Sequence, residues 1–189
     1  MRLNLLLAGL ILAIGSGRLA AEVLDSSASG FTVKATVPIQ ASRDAVYRAL
    51  IHDIGQWWDP DHTFSGDSHN LSIEEKPMGC FCEKLPNEGG VRHMEVVRFA
   101  PGKTLVLIGA LGPLQTMAAT GSMTIQIAPA GNGATLEATY AVTGYAPGGL
   151  NALAATVDGV LKQQFTRLKS YLEHGDPAPK GIGGAGPRP

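Results

Sequence analysis

The sequence predicts an α+β domain in which a curved antiparallel sheet of about seven strands wraps around one long C-terminal helix. Two observations carry this. From Gly148 to His174, Leu150, Leu153, Ala154, Val157, Val160, Leu161, Gln164, Phe165, Leu168, Tyr171 and Leu172 recur at helical spacing. Before them runs a series of short apolar segments separated by tight-turn residues, broken near its start by one short amphipathic helix. A helix of that length cannot bury its apolar stripe alone, so the strands must wrap it. A sheet curled over a helix tends to enclose a cavity, and a small-molecule pocket is the first functional expectation.

The elements follow in order. Phe31, Val33, Ala35 and Val37 alternate with Thr32, Lys34 and Thr36, the signature of a half-buried strand. Ser42 offers an N-cap to a short helix with Ala45, Val46, Ala49 and Leu50 on one face. Residues 53–66 read as irregular and hold Trp57 and Trp58. Further strands are expected near Leu71–Glu74, Cys80–Leu85, Val91–Phe99, Thr104–Gly109, Met117–Ile127 and Thr135–Val142. Turns are expected at Pro77-Met78-Gly79, Pro86–Gly90, Pro101-Gly102 and Ala130–Gly133. In the last hairpin Met123, Ile125 and Ile127 should face Tyr140, Ala138 and Leu136, with Thr124, Gln126, Glu137 and Thr139 outward.

The ends read differently from the middle. Met1-Arg2 precedes the apolar run Leu3–Gly15, and Leu19-Ala20-Ala21 ends in small residues, so residues 1–21 read as a secretory signal peptide. The run is short for a membrane span, and a retained anchor is the alternative. Residues 22–174 form the domain, and 175–189, rich in Gly and Pro, read as a disordered tail. The expected location is periplasmic or secreted, with no stable membrane span after cleavage. A formal net charge of -1 with no basic stripe gives no support for nucleic-acid binding. No Walker, dinucleotide or nucleophile-elbow motif occurs, so no cofactor is expected. Any protein partner is not legible.

The run Val37-Pro38-Ile39-Gln40-Ala41-Ser42-Arg43-Asp44-Ala45-Val46-Tyr47, the Trp57-Trp58 pair, and the blocks Gly79–Glu83 and Gly109–Gln115 resemble the START-like, SRPBCC or helix-grip superfamily. Within it the chain resembles bacterial polyketide cyclase/dehydrase and lipid transport proteins, and the group homologous to activators of the heat-shock chaperone ATPase. The resemblance spans Phe31 to Glu173. It implies the helix-grip fold and binding of a hydrophobic small molecule between sheet and helix. A leader peptide departs from the cytosolic chaperone-activator pattern. Fold likeness alone does not choose between enzyme, carrier and regulator.

The sharpest polar feature is the hairpin around Glu88. Pairing it about that turn sets Glu83 opposite His93, Phe81 opposite Glu95, Cys82 opposite Met94 and Cys80 opposite Val96. One face would then carry Glu83, His93 and Glu95, and the other sulfur and aliphatic groups. Facing inward, Glu83 and His93 suit general acid/base work, with Glu83 orienting His93; facing outward, they are a surface ion pair. Both strands are apolar on both sides, so alternation does not choose. Cys80 and Cys82 are expected as two small buried residues without a disulfide, a strained bond being the alternative. Asp59, Asp61, His62, Asp67 and His69 are metal-ligand types without ligand spacing, and turn chemistry explains them, so no metal is expected.

Three functional readings follow. The first is a carrier or sensor of a lipid- or polyketide-like molecule, with Trp57, Trp58, His93, Glu95, Leu111, Leu114, Met123, Tyr140, Leu153, Val157 and Leu161 as candidate ligand contacts. The second is a cyclase, dehydratase or hydrolase with His93 and Glu83 as its acid/base pair. The third is a protein-interaction module with an exposed apolar patch around Leu111–Leu114. Tyr140 and Tyr145 are candidate hydroxyl donors to the pocket.

Overall fold

The computed structural model describes residues 20–177. The expected signal peptide lies outside the described residues except Ala20 and Ala21, and residues 178–189 of the expected tail lie outside them too. Eight strands form one antiparallel sheet in the order β1-β2-β8-β7-β6-β5-β4-β3. They are β1 (Ala20–Ser27), β2 (Gly30–Ile39), β3 (Leu71–Ile73), β4 (Gly79–Lys84), β5 (Gly90–Ala100), β6 (Thr104–Gly109), β7 (Ala118–Ala130) and β8 (Gly133–Tyr145). The helices are α1 (Arg43–His52), α2 (Ile54–Trp57) and the 21-residue α3 (Ala154–His174), the last preceded by a 3-10 turn at Leu150–Leu153.

The strand absent from the sequence reading is β1. Its register against β2 slips between Val23 and Asp25, so the alternation that marks a strand is broken within it. As an edge strand it also leaves Val23 and Leu24 exposed, which further blurs the pattern.

Local chemistry accounts for the ends of the elements. The Ser42 side chain accepts a hydrogen bond from the Ala45 N–H at 3.2 Å and caps α1, as expected. Gly175 closes α3 at φ 82°, a left-handed conformation that a Cβ would disfavour. The β7–β8 register sets Met123 against Tyr140, Ile125 against Ala138 and Ile127 against Leu136, as the alternation required. Those residues join Val33, Ala35 and Val37 of β2, Leu105 and Leu107 of β6, and Leu161, Phe165 and Leu168 of α3 in one buried core. α3 packs most heavily on β2. No helix among the described residues is long and apolar enough to cross a membrane.

The β4–β5 hairpin departs from expectation in register. Its pairs are Glu83 with Val91 and Cys82 with Arg92, then Phe81 with Met94 and Cys80 with Glu95. The turn centres one residue earlier than expected, because Asn87 and Glu88 both take positive φ (58° and 64°) and tighten it. His93 has no partner on β4 and forms a bulge. His93 and Met94, though adjacent, are therefore both buried.

Candidate functional site

The inner face of the sheet is apolar but for one polar pair. Among the described residues the buried polar side chains are Asp59, Ser68, Glu83, His93, Gln164 and Arg167, and only Glu83 and His93 belong to strands. They meet each other. His93 Nε2 lies 3.0 Å from Glu83 Oε2, with side-chain exposures of 5% and 0%. The bulge turns His93 inward onto the face that carries Phe81 and Glu83.

The pair is held from three sides. Glu83 Oε2 accepts from the Phe64 N–H at 3.1 Å, and Oε1 from the Ser65 N–H at 2.5 Å. His93 Nδ1 lies 3.3 Å from Gln115 Nε2, an amide donor in the 3-10 turn Gly112–Thr116. The imidazole ring lies between Phe81, at 5.0 Å between ring centres, and Phe64, at 5.9 Å. Phe64 is 39% exposed, so it forms the solvent side of this stack. Trp58 extends the stack inward, 5.8 Å from Phe81 and edge-on to it.

The electrostatics give a charged acceptor beside a neutral ring. Burial alone would raise the Glu83 pKa, but the bonds from Ser65, Phe64 and His93 outweigh it and hold the carboxyl below its usual range. Burial lowers the His93 pKa more than Glu83 raises it, so the ring is neutral at pH 7. With a carboxylate facing Nε2 and an amide N–H facing Nδ1, the fitting tautomer carries its proton on Nε2. Nδ1 keeps the lone pair, engaged only by the long contact to Gln115.

Other expected residues fall as follows. Trp57 is a core anchor, its Nε1 donating to the Ala49 carbonyl at 2.9 Å, and Trp58 Nε1 donates to the His62 carbonyl at 3.1 Å. Met123, Tyr140, Leu161 and Leu114 are buried, while Leu111, Leu153 and Val157 are half-buried. The Tyr140 hydroxyl donates to the Gly109 carbonyl at 3.2 Å and accepts from the Leu111 N–H at 3.3 Å; burial pushes its pKa up to about 12. His93, Gly109, Leu111 and Tyr140 thereby gather at one end of the sheet.

Several expectations are corrected. Glu95 does not join Glu83 and His93: the bulge returns it to the outer face, where it pairs with Arg92 at 3.1 Å. Met94 and Val96 are inside rather than with the sulfurs. Cys80 and Cys82 are half-buried on the outer face and disulfide-bonded. Their Cα atoms are 5.3 Å apart, inside the range a disulfide spans, and β4 is contracted there, opposite the bulge. Tyr145 is exposed. Two surface depressions, of about 350 and 490 Å³, lie between α1 and α3 and on the outer sheet face. Leu114 is buried and Leu111 half-buried, so that loop presents no broad apolar patch.

The sequence reading missed Phe64, Phe81 and Gln115 as neighbours of His93, and the loop anchors. Asp59 N donates to Gln164 Oε1 at 2.8 Å, Gln163 Nε2 donates to Asp59 Oδ2 at 2.6 Å, and Arg167 Nε donates to the Trp57 carbonyl at 2.9 Å. Asp59 and Asp67 also cap short 3-10 turns, accepting from Asp61 N and His69 N. Among the described residues no three His, Cys, Asp or Glu side chains converge as metal ligands.

The family described as polyketide cyclase / dehydrase and lipid transport matches residues 30–173. The chain belongs to that family. No curated protein sequence matches it. Its fold is similar to that of a conserved protein of unknown function from Enterococcus faecalis, at 17% identity and TM-score 0.59, covering 86% of this chain and 82% of that one. It is also similar to the Aha1 dimer from Colwellia psychrerythraea, at 18% identity and TM-score 0.57, covering 76% and 97%. CalU16 from Micromonospora echinospora shares the fold at 16% identity and TM-score 0.53, covering 87% and 88%. At these identities the likeness shows the helix-grip fold, and β1 lies ahead of the region that the family matches.

Proposed function

We propose that this protein binds a hydrophobic small molecule, lipid- or polyketide-like, at the end of the sheet where His93, Leu111 and Tyr140 gather. The observation that carries the reading is the buried His93 on an otherwise apolar inner face, one nitrogen committed to Glu83 and the other held only by a 3.3 Å contact. An apolar site with a single oriented polar anchor suits a ligand with one carbonyl or hydroxyl. Burial of Tyr140, Leu161 and Phe165 leaves the interior filled, so entry requires Phe64 and the half-buried Leu111 to move aside. The leader-like Met1–Ala21 and the Cys80–Cys82 bond support a periplasmic or secreted setting.

The test is native mass spectrometry of protein taken from its source, with solvent extraction of adducts, and melting shifts with oleic acid and the tricyclic ketone anthrone. A stoichiometric lipophilic adduct, or a shift that His93→Ala removes, supports the reading. An empty protein that responds to neither compound overturns it.

A second reading is favoured by the orientation of the pair. Glu83 fixes His93 with its Nδ1 lone pair aimed away from the carboxylate, the arrangement of an oriented general base. In that reading His93 removes a proton next to a carbonyl, and Glu83 stabilises the imidazolium that forms. His93→Ala then abolishes turnover of a carbonyl substrate while the protein stays folded; a variant that merely melts lower overturns it.

A further inference from the structure

The outer face of β4 carries a covalent bond at the point where the sheet turns His93 inward. Cys80 and Cys82 flank Phe81, and their disulfide leaves their Cα atoms 5.3 Å apart. Two residues of extended strand advance about 6.6 Å. β4 is thus shortened by more than an ångström across Phe81. The register slips at the same place: between the pairs Cys82–Arg92 and Phe81–Met94, β5 carries one residue more than β4. That extra residue is His93. With strict alternation His93 and Met94 would face opposite sides, and with Met94 inward Glu83 would be buried without its imidazole. Phe81, between the two cysteines, is also the ring against which His93 packs at 5.0 Å. Both cysteines are half-buried on the outer face, and only the three-residue β3 separates β4 from the sheet edge.

We propose that the Cys80–Cys82 disulfide is a reducible clamp that sets the β5 bulge and so holds His93 in the ligand site, making ligand binding redox-dependent. The dependence on ligand rests on the binding function proposed above; the clamp itself does not. The reductant is a dithiol. One of its thiolates attacks a cysteine sulfur, the Cys80–Cys82 bond breaks, and a mixed disulfide forms. Its second thiolate displaces the remaining cysteine. The dithiol leaves oxidised to a disulfide, and Cys80 and Cys82 take up two electrons and two protons as thiols. Freed, β4 extends, the extra residue on β5 is no longer required opposite it, and His93 loses its fixed inward position.

The test uses the full-length, isotope-labelled protein, oxidised and then treated with excess dithiothreitol, with thiol counting to verify reduction. Amide exchange and the His93 ring resonances are followed by NMR. The expected result is exchange about tenfold faster, or more, at residues 81–83 and 93–95, unchanged exchange in the β7–β8 hairpin, and a new His93 ring environment. The Cys80→Ser/Cys82→Ser double variant should reproduce the reduced spectrum without reductant. Unchanged residues 81–95 after verified reduction overturn the clamp. Loss of protection throughout the sheet also overturns it, since the bond is then a general staple. Oleic acid binding is measured in both states. Binding to the oxidised form alone supports the switch, and equal binding despite a displaced His93 overturns it. If the clamp responds but oleic acid binds neither form, the ligand reading fails while the clamp stands.

Discussion

Glu83 and His93 meet at 3.0 Å inside the sheet, and the same carboxylate also takes the backbone N–H groups of Phe64 and Ser65. One side chain therefore fastens both the ring and the loop whose Phe64 covers it. Removing a charged acceptor from such a site leaves buried donors without partners, which costs more than the bonds themselves were worth.

This geometry makes the protein acid-labile in two steps. The His93 pKa is lower in the folded state than its usual 6.5, chiefly from burial. Below pH 6.5 the unfolded chain therefore takes up a proton that the folded chain does not, and stability falls with pH until the folded pKa is reached. The Glu83 pKa is held below its usual 4.5 by its donors, against the pull of burial, so its contribution is complete above pH 4.5 and is lost as pH falls through the folded value. Melting temperature against pH should be flat from neutrality up to the range where tyrosines titrate, and decline in both acid windows. His93→Gln should remove the first decline, and Glu83→Gln should weaken the second and lower stability at pH 7 by about 2 kcal/mol.

Tyr140 occupies space that only a glycine at position 121, diagonal to it across β7 and β8, allows. A Cβ on Gly121 would lie 2.6 Å from Tyr140 Cε2 and 2.7 Å from the Ala141 carbonyl oxygen. Gly121→Ala should cost about 1–3 kcal/mol by overpacking. Tyr140→Phe keeps the ring and loses the bonds to Gly109 and Leu111, for a smaller cost of about 1 kcal/mol. Urea unfolding of the two variants checks the order; a larger loss in Tyr140→Phe would contradict it.

The loop after Trp58 is bolted to α3 through Gln164, which is fully buried and accepts from the Asp59 N–H. Gln164→Leu preserves volume and leaves that N–H unsatisfied, so a loss of about 1–3 kcal/mol is expected, with faster exchange confined to residues 58–66. Hydrogen-exchange mass spectrometry reads both the size and the place of the effect.

The elements legible in advance are those whose signals are local. Ser42 caps α1 through a contact three residues away, and the β7–β8 alternation sets Met123, Ile125 and Ile127 against Tyr140, Ala138 and Leu136. The hairpin containing His93 was not legible, because positive φ at Asn87 and Glu88 moves the turn by one position and a bulge resets the faces of Met94, Glu95 and Val96. Phe64 and Gln115 join the site from loops 29 and 22 residues from His93 in sequence, and nothing in their local pattern points there.

The order of strands and long helices from β2 onward, the apolar stripe of α3 and the candidacy of Glu83 and His93 were determined by the sequence itself, since periodicity and turn residues act over a few positions. Whether the pair faces the core or the solvent was decided by tertiary structure. Both faces of β4 and β5 carry apolar residues, so burial alone favours neither. The choice falls to one extra residue in β5 against a contracted β4, whose effect exists only once the two strands are paired.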